Sequence, residues 1–137
     1  MAKDDFDFYF SEENNENVGV TEELFVLTVN GKVAGVIGYY VARVHYWVHW
    51  FYVHNEYLKH GYGRRLLKYT IGEVRKKGVD RLYVYTASDE FYKPALRLYQ
   101  SEGFRITKRV KNCFGSGSGS GSDKIILYKN FYKEANG

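Results

Sequence analysis

The chain has one cysteine, one proline and no apolar run near the roughly 18 residues that cross a membrane. With Cys113 alone, no internal disulfide can form, which fits a reducing compartment. The opening residues, MAKDDFDFYF, are too acidic for a secretory signal peptide. These absences exclude disulfide-stabilised and membrane-spanning classes of protein, and they favour a cytoplasmic location.

The length of 137 residues, with 45% hydrophobic and 26% charged residues, is typical of one globular domain spanning residues 1–137. Its net charge of +4 is unevenly distributed. Residues 1–23 hold eight carboxylates against Lys3, a net charge of −7, so the rest of the chain carries +11. An acidic head and a basic body could accept a cation and an anion respectively, although a solvated surface with chance asymmetry remains the alternative.

The segment 114–123, FGSGSGSGSD, is a strict Gly-Ser alternation. This composition is typical of a flexible engineered linker. The flanking segments, RITKRVKNCF and DKIILYKNFY, have the composition of strands. We therefore interpret 115–122 as a linker that replaces the loop of an antiparallel hairpin, and we assign it no function.

The first half of the chain is rich in strand signals. FDFYF at 6–10 is a short candidate strand, whereas 11–23 is polar and is predicted to be irregular or at most a short helix. Residues 24–43 form two candidate strands around the Asn-Gly pair at 30–31, a strong hairpin signal. The aromatic run at 44–53 predicts a third strand in the same meander.

After residue 61 the apolar period changes from two residues to 3.6, which predicts a helix. One face of that helix collects Gly63, Leu66, Leu67, Thr70, Ile71 and Val74. Three basic residues at 75–77 and then Gly78 are typical of a helix C-terminus.

The rest of the chain is predicted to contain a strand, a second helix and two further strands. RLYVYTA at 81–87 is a candidate strand, and a second helix runs from Pro94 to Gly103 with a short apolar stripe. Two strands close the chain. The predicted fold class is α+β, with a mixed, mostly antiparallel sheet, two main helices and a parallel pairing across the first helix.

Two glycines stand in YLKHGYGRRLL at 57–67, at the predicted start of the first helix. A helix N-terminus binds phosphate readily, and glycines there let the backbone approach a ligand closely. The segment lacks the G-x-x-x-x-G-K-[ST] pattern of a P-loop. A dinucleotide-binding fingerprint, G-x-G-x-x-G, needs a third glycine where this chain has Leu66, and an antiparallel meander precedes the segment in place of a βαβ unit. Neither nucleotide-binding motif therefore fits.

The segment VHNEYLKHGYGRRLL at 53–67 resembles the acyl-CoA pyrophosphate motif of the GNAT superfamily of N-acetyltransferases, R/Q-x-x-G-x-G/A. Downstream, ALRLYQSEGF at 95–104 is similar to the second hallmark of that family, A-x-x-L-Y-x-x-x-G-F. The resemblance covers roughly residues 24–132 and implies a GNAT-like fold, with acetyl-CoA as co-substrate. It implies direct acyl transfer to an amine, with no metal and no covalent enzyme intermediate.

The resemblance also assigns roles to individual residues. The main chain of Phe51, Tyr52 and Val53 would pair with the pantetheine arm, and the Val53 amide could polarise the thioester carbonyl. Tyr99 would act as the proton donor to the departing CoA thiolate. The pyrophosphate would be wrapped by the backbone of Lys59, His60, Gly61, Tyr62, Gly63 and Arg64.

The chain departs from the family pattern at three places. Leu58 occupies the R/Q position, and Tyr92 occupies the position of a common asparagine, for which Asp89 is the nearest polar substitute. The family places two helices between its first and second strands, whereas only the 13 residues 11–23 are available here. The chain therefore resembles a GNAT domain shortened on its N-terminal side.

The predicted general base is His49, because an ammonium acceptor must lose its proton before it attacks. Simple alternation would place His49 on one strand face with His45, Trp47, Phe51 and Val53. Ordinary polar positions on an aromatic strand remain the alternative for the histidines.

The acceptor is predicted to be a cationic primary amine, either a polyamine-like small molecule or a peptide amine. The acidic stretch 11–23 would border its cleft through Glu12, Glu13, Glu16, Glu22 and Glu23. Two other classes of function stay open: a catalytically silent acyl-CoA-binding module and, with less support, a single-stranded nucleic-acid binder. A membrane is not an expected partner, and a homodimer is compatible with the sequence.

Overall fold

The computed structural model describes residues 9–15, 20–112 and 122–132. The chain divides into two compact units, Met1–Val79 and Asp80–Gly137. The first unit contains β1 (Tyr9–Asn15), β2 (Val20–Val29), β3 (Lys32–Ala42), β4 (His45–Val53) and α1 (Tyr62–Arg75). The second unit contains β5 (Arg81–Ala87), α2 (Lys93–Ser101), β6 (Arg105–Val110) and β7 (Lys124–Asn130). Short 3-10 turns at Asn55–Tyr57 and Glu90–Tyr92 precede the two helices.

The strands of the first unit form an antiparallel meander in the order β1-β2-β3-β4. Asn30 and Gly31 connect β2 to β3, with φ angles of 52° and 77°. Positive φ at both positions of a two-residue loop matches the twist of the strands on either side. The predicted hairpin and the third strand are confirmed.

The prediction for 11–23 was wrong. Residues 11–15 belong to β1 and residues 20–23 to β2, and the two strands pair in antiparallel register from Tyr9–Val26 to Asn15–Val20. The candidate strand at 6–10 is seen from residue 9 onward, and residues 6–8 lie outside the described ranges. A polar edge strand is stabilised by backbone pairing with its neighbour, so it needs no apolar alternation. Between β1 and β2 the chain has room for only residues 16–19, in place of the two family helices.

Helix α1 packs on the meander through the face that its period predicted. Leu66, Leu67 and Val74 are completely buried. Gly35 on β3 makes this packing possible, since a Cβ there would lie 2.8 Å from Leu66 Cδ1. The helix start is thus held directly against the strands that precede it.

The second unit has the strand order β5-β7-β6, with both pairings antiparallel. Leu82, Val84 and Leu127 are buried in its core, as are Tyr99 and Phe104. The two closing strands therefore pair as predicted, while the proposed linker lies almost entirely outside the described residues. Only Ser122 of that segment is described.

Together these elements confirm an α+β fold with a mixed, mostly antiparallel arrangement of strands and two main helices. Within the described ranges, no helix has the length and apolar character needed to span a bilayer.

Candidate active site

Strand β4 contains a bulge at the point where the predicted cofactor-binding segment begins. Gly38 pairs with His49, but Val36 pairs with Tyr52, so Ile37 lies opposite two residues of β4. Trp50 has a φ of 53°, in the left-handed region that a bulky residue rarely occupies. Such backbone strain concentrates at functional sites.

The bulge corrects the predicted alternation of side chains along β4. One extra residue reverses the faces beyond it. Tyr52 therefore shares the face of His49, whereas Phe51 and Val53 do not. The prediction that Phe51 and Val53 share a face with His49 was wrong, because it required each residue of β4 to pair with one residue of β3.

Beyond the bulge, β4 ends with the three residues predicted to pair with pantetheine. Tyr52 is 56% exposed, while Phe51 and Val53 are half-buried. The His54 amide donates to the Ala34 carbonyl at 2.8 Å and fixes the exit of the strand. The bulge and this bond set the direction in which the main chain of 51–53 presents its polar groups.

The loop between β4 and α1 turns through two left-handed residues, Lys59 with a φ of 67° and Gly61 with a φ of 80°. Gly61 is the N-cap of α1 and carries no capping side chain. The first-turn amides and the positive end of the helix dipole therefore face the loop. This backbone is suited to hold a pyrophosphate.

Side chains on either side of Gly61 support the loop. Tyr62 is only 7% exposed and anchors the first turn. The His60 ring stacks on the Tyr62 ring, with centroids 5.7 Å apart and planes 27° apart. Lys59 and Arg64 are exposed and add positive charge to the same segment.

His49 is half-buried, and burial lowers the pKa of its imidazole to about 4. It is therefore neutral at neutral pH. Its ring centroid lies 4.8 Å from that of Tyr40 and 5.7 Å from that of Trp50. Glu22 of β2 is the register partner of Tyr40 and lies on the same face.

We refer to Glu22, Tyr40, His49 and Trp50 as the acidic–aromatic cluster. Of its members, only His49 and Glu22 were singled out from the sequence. Tyr40 and Trp50 gave no signal, because an aromatic residue in a strand is ordinary and nothing marks the bulge.

Glu23 lies on the opposite face of β2, although it was predicted to border the acceptor cleft. It is buried, and its carboxylate lies 3.3 Å from Lys77 Nζ. Glu12 and Glu13 belong to β1, opposite Glu23 and Glu22, whereas Glu16 is outside the described residues. The described His, Cys, Asp and Glu side chains form no group of three suited to a metal ion.

Tyr99 lies in α2 of the second unit and is only 5% exposed. Its ring contacts that of Phe104, with centroids 5.8 Å apart. Burial raises the pKa of the phenol above its ordinary value, so Tyr99 keeps its proton throughout the neutral range.

Asp89 and Tyr92 lie in the turn before α2. An Asp89 carboxylate oxygen accepts a hydrogen bond from the Ser122 hydroxyl. Nearby, the Asp123 amide donates to Ser88 Oγ at 2.8 Å, and the Ser88 amide donates to the Asp123 carbonyl at 2.9 Å. Ser122, which was set aside as linker, therefore helps to fix the turn that carries Asp89.

The predicted site residues are divided between the two units. The first unit brings together His49, residues 51–53 and residues 59–64 on one strand–loop–helix segment. The second unit carries Asp89, Tyr92 and Tyr99 around α2.

The family model described as "Acetyltransferase (GNAT) family" matches residues 2–104. The chain therefore belongs to the GNAT acetyltransferase family. Acetyl-CoA-dependent acetyl transfer is its activity, with acetyl-CoA as co-substrate.

Solved structures agree with this assignment. The ribosomal-protein-S18-alanine N-acetyltransferase from Escherichia coli is 28% identical, with a TM-score of 0.71 over 82% of this chain and 70% of that one. A GNAT family acetyltransferase from Elizabethkingia anophelis with acetyl-CoA bound is 26% identical, with a TM-score of 0.70 over 80% of this chain and 76% of that one. A Bacillus subtilis acetyltransferase in complex with CoA is 20% identical and shares the fold. Its TM-score is 0.77 over 93% of this chain and 100% of that one. No curated protein matches the chain.

Proposed function

We propose that the chain acetylates a cationic primary amine, either a polyamine-like small molecule or an amine of a peptide, by direct attack on acetyl-CoA. The observation that supports this acceptor class is the acidic–aromatic cluster beside the Trp50 bulge. It adjoins the β4 segment proposed to hold the pantetheine arm.

The chemistry of the cluster favours a cation. The Glu22 carboxylate attracts positive charge, and the faces of the Tyr40 and Trp50 rings attract it as well. His49 is neutral at neutral pH, so it does not repel an ammonium group. A neutral or anionic acceptor would gain none of these interactions.

The cofactor would be held by the first unit through its backbone. The main chain of 51–53 would pair with the pantetheine arm, and the loop of Lys59 and Gly61 would wrap the pyrophosphate. Leu58 supplies no polar side chain here, but the backbone of a helix N-terminus binds phosphate without one. Asp89 and Tyr92 are the proposed cofactor contacts of the second unit.

The proposed reaction needs three proton transfers. The bound ammonium first loses a proton to the neutral imidazole of His49, directly or through water, and the free amine nitrogen then attacks the thioester carbon. After the attack the nitrogen loses its second proton, which replaces the proton that Tyr99 gives to the leaving group. The Val53 amide would stabilise the oxyanion that forms. The carbon–sulfur bond then breaks, and the Tyr99 hydroxyl donates a proton to the departing thiolate.

A peptide amine is a specific candidate within this class. The Escherichia coli relative is named as an enzyme that acts on a ribosomal-protein alanine. A peptide N-terminus is a primary amine that is protonated near neutral pH, so it matches the charge of the cluster.

The acceptor class can be tested with Glu22→Gln and Tyr40→Leu. Each should raise KM for a diamine by about 5- to 30-fold, because each removes roughly 1–2 kcal/mol of cation binding. The turnover number should change little. Glu73→Gln is the matched control, since Glu73 pairs with Lys76 on α1. An unchanged KM in both variants would refute the proposed role of the cluster.

A catalytically silent acyl-CoA-binding module remains the second candidate, because the short β1–β2 connection leaves no room for the two family helices. Binding of CoA without thiol release on any amine would favour it over an enzyme.

A further inference from the structure

The second unit has a sheet face that carries rings and cations together. Antiparallel partners share a face, and the register places Tyr83 opposite Tyr128, which in turn lies opposite Arg105 on β6. By the same alternation, this face presents Arg81, Tyr83, Tyr85, Lys124, Ile126, Tyr128, Arg105 and Lys108. We refer to these eight residues as the basic tyrosine face.

Three of these side chains are locked together at one end of β5. The Arg81 guanidinium carbon lies 4.9 Å from the centroid of the Tyr128 ring. Arg81 Nη1 also donates to the Tyr83 hydroxyl at 3.4 Å, and the Tyr83 and Tyr128 ring centroids are 6.3 Å apart. The Arg81 guanidinium is therefore held over the Tyr128 ring and by the Tyr83 hydroxyl.

A second such pair lies toward the other end of the same strand. Lys124 Nζ is 4.4 Å from the centroid of the Tyr85 ring, and Tyr85 is 42% exposed. Arg105 and Lys108 are exposed along β6. The rings thus form a row on β5 and β7, and cations border it on β6.

None of the eight residues carries a carboxylate and four of them are cations, so the face is positively charged, while the Asp80 carboxylate interacts with Arg81 at one end of β5. The ion pairs Arg109–Asp123 and Lys93–Glu90 of the second unit involve none of these eight residues. Lys129, which alternates to the opposite face, donates to the Glu102 carbonyl at 2.7 Å. Helix α2 therefore covers the other side of these strands.

We propose that the basic tyrosine face binds single-stranded nucleic acid without sequence preference. Tyr83 and Tyr85 are two residues apart on one strand, so their rings are separated by about 7 Å and each can stack with its own base. The cations supply the phosphate contacts that dominate the affinity of such surfaces.

This partner fits better than other anions because the face combines both features. An acidic polypeptide would use the cations but has no array of planar bases for the tyrosines. Duplex nucleic acid would use the cations but keeps its bases stacked inside the helix. None of the eight residues of the face is among those proposed to hold acetyl-CoA or the acceptor, so the proposal does not depend on the acceptor.

The test is fluorescence anisotropy of a labelled oligothymidylate titrated with the full chain at two salt concentrations. Binding should be detected at or below about 100 μM at low salt and should weaken as salt rises. The double variant Arg105→Gln with Lys108→Gln should flatten the slope of log K against log salt by about 1.4, which corresponds to two lost phosphate contacts. Tyr85→Leu should weaken binding by about 5- to 150-fold through the loss of one stacking position.

The matched control is Lys93→Gln with Arg97→Gln, which removes two exposed cations of α2 and should leave affinity unchanged. The urea denaturation midpoint of every variant reports whether the chain remains folded. Saturating CoA should leave the anisotropy unchanged. Absence of binding, an equal loss in the control, displacement by CoA, or equal competition by polyglutamate or duplex DNA would each overturn the proposal.

Discussion

Lys77 Nζ lies 3.3 Å from Glu23 Oε1, with the Glu23 side chain only 4% exposed. Lys77 lies two residues beyond the end of α1, and Glu23 is in β2, so the ion pair fixes the end of the helix to the sheet. Burial and the same carboxylate raise the pKa of Tyr39 nearby. Glu23 therefore serves the fold, and Glu22 is the β2 carboxylate that remains for the acceptor.

We predict that Lys77→Ala lowers the free energy of unfolding by about 1–3 kcal/mol, because it leaves a buried carboxylate without its partner. Lys76→Ala is the control. Lys76 is 74% exposed and pairs with Glu73 on the surface, so its removal should cost less than about 0.5 kcal/mol. Urea denaturation of both variants compares the two losses, and equal losses would contradict the structural role of the buried pair.

Gly61→Val and Gly63→Val should each weaken CoA binding severely. At Gly61 the φ of 80° disfavours any side chain, and at Gly63 a side chain would enter the first turn of α1, where phosphate is expected. Gly72→Val is the control, since it adds the same side chain to the same helix at a place with open space. Calorimetric titration with CoA measures the effect, and wild-type affinity in folded Gly61 and Gly63 variants would contradict the proposed loop.

The pKa of His49 predicts a pH dependence of stability. Burial lowers that pKa from its ordinary 6.5 to about 4, so between these values the unfolded state binds more protons than the folded state. The stability that His49 contributes is therefore complete above about pH 6.5 and is lost as pH falls toward 4. Because the ring is half-exposed, we expect a loss of only about 1 kcal/mol.

Urea midpoints at about pH 7 and about pH 5 measure this effect. His49→Gln should reduce the difference between the two midpoints, and His45→Gln, at an exposed position of the same strand, should preserve it. The same difference in the His49 variant as in wild type would show that this imidazole is not desolvated.

Tyr99→Phe removes one hydroxyl and preserves the shape of a buried side chain. Turnover should fall by about 10- to 1000-fold with little change in CoA affinity, as expected for loss of a general acid. Tyr46→Phe is the control, because the Tyr46 ring contacts the buried Tyr39 ring at 5.5 Å in the first unit. An unchanged rate in Tyr99→Phe, with chemistry rate-limiting, would leave Tyr99 a core residue only.

The sequence predicted those elements whose formation depends on local signals. The Asn-Gly pair at 30–31 specified a hairpin, and the period of 3.6 after Gly61 specified α1 with its buried face. The polar part of β1 at 11–15 was missed, because a polar edge strand is stabilised by its partner and leaves no periodic signal of its own.

The part of the candidate site formed by the loop before α1 could be predicted from local sequence. The part that depends on the register between β3 and β4 could not. Gly61 and Gly63 mark in the sequence the segment that we propose to bind the pyrophosphate, and the structure places Gly61 at the N-cap of α1 with a positive φ. The bulge at Trp50 has no glycine or proline to mark it, so uniform alternation placed Phe51 and Val53 on the wrong face. The contact of Tyr40 with His49 follows from the pairing of β3 with β4, which is a long-range property.

The most direct test of the account is release of CoA thiol from acetyl-CoA with a panel of primary amines matched in size. The panel should include a diamine, a short peptide with a free N-terminus, and neutral and anionic counterparts. We predict thiol release with the cationic amines, a lower rate with the others, and loss of the reaction in Gly61→Val. Equal rates across the panel would contradict the proposed acceptor class, and CoA binding without thiol release on any amine would contradict the assignment of catalysis to this chain.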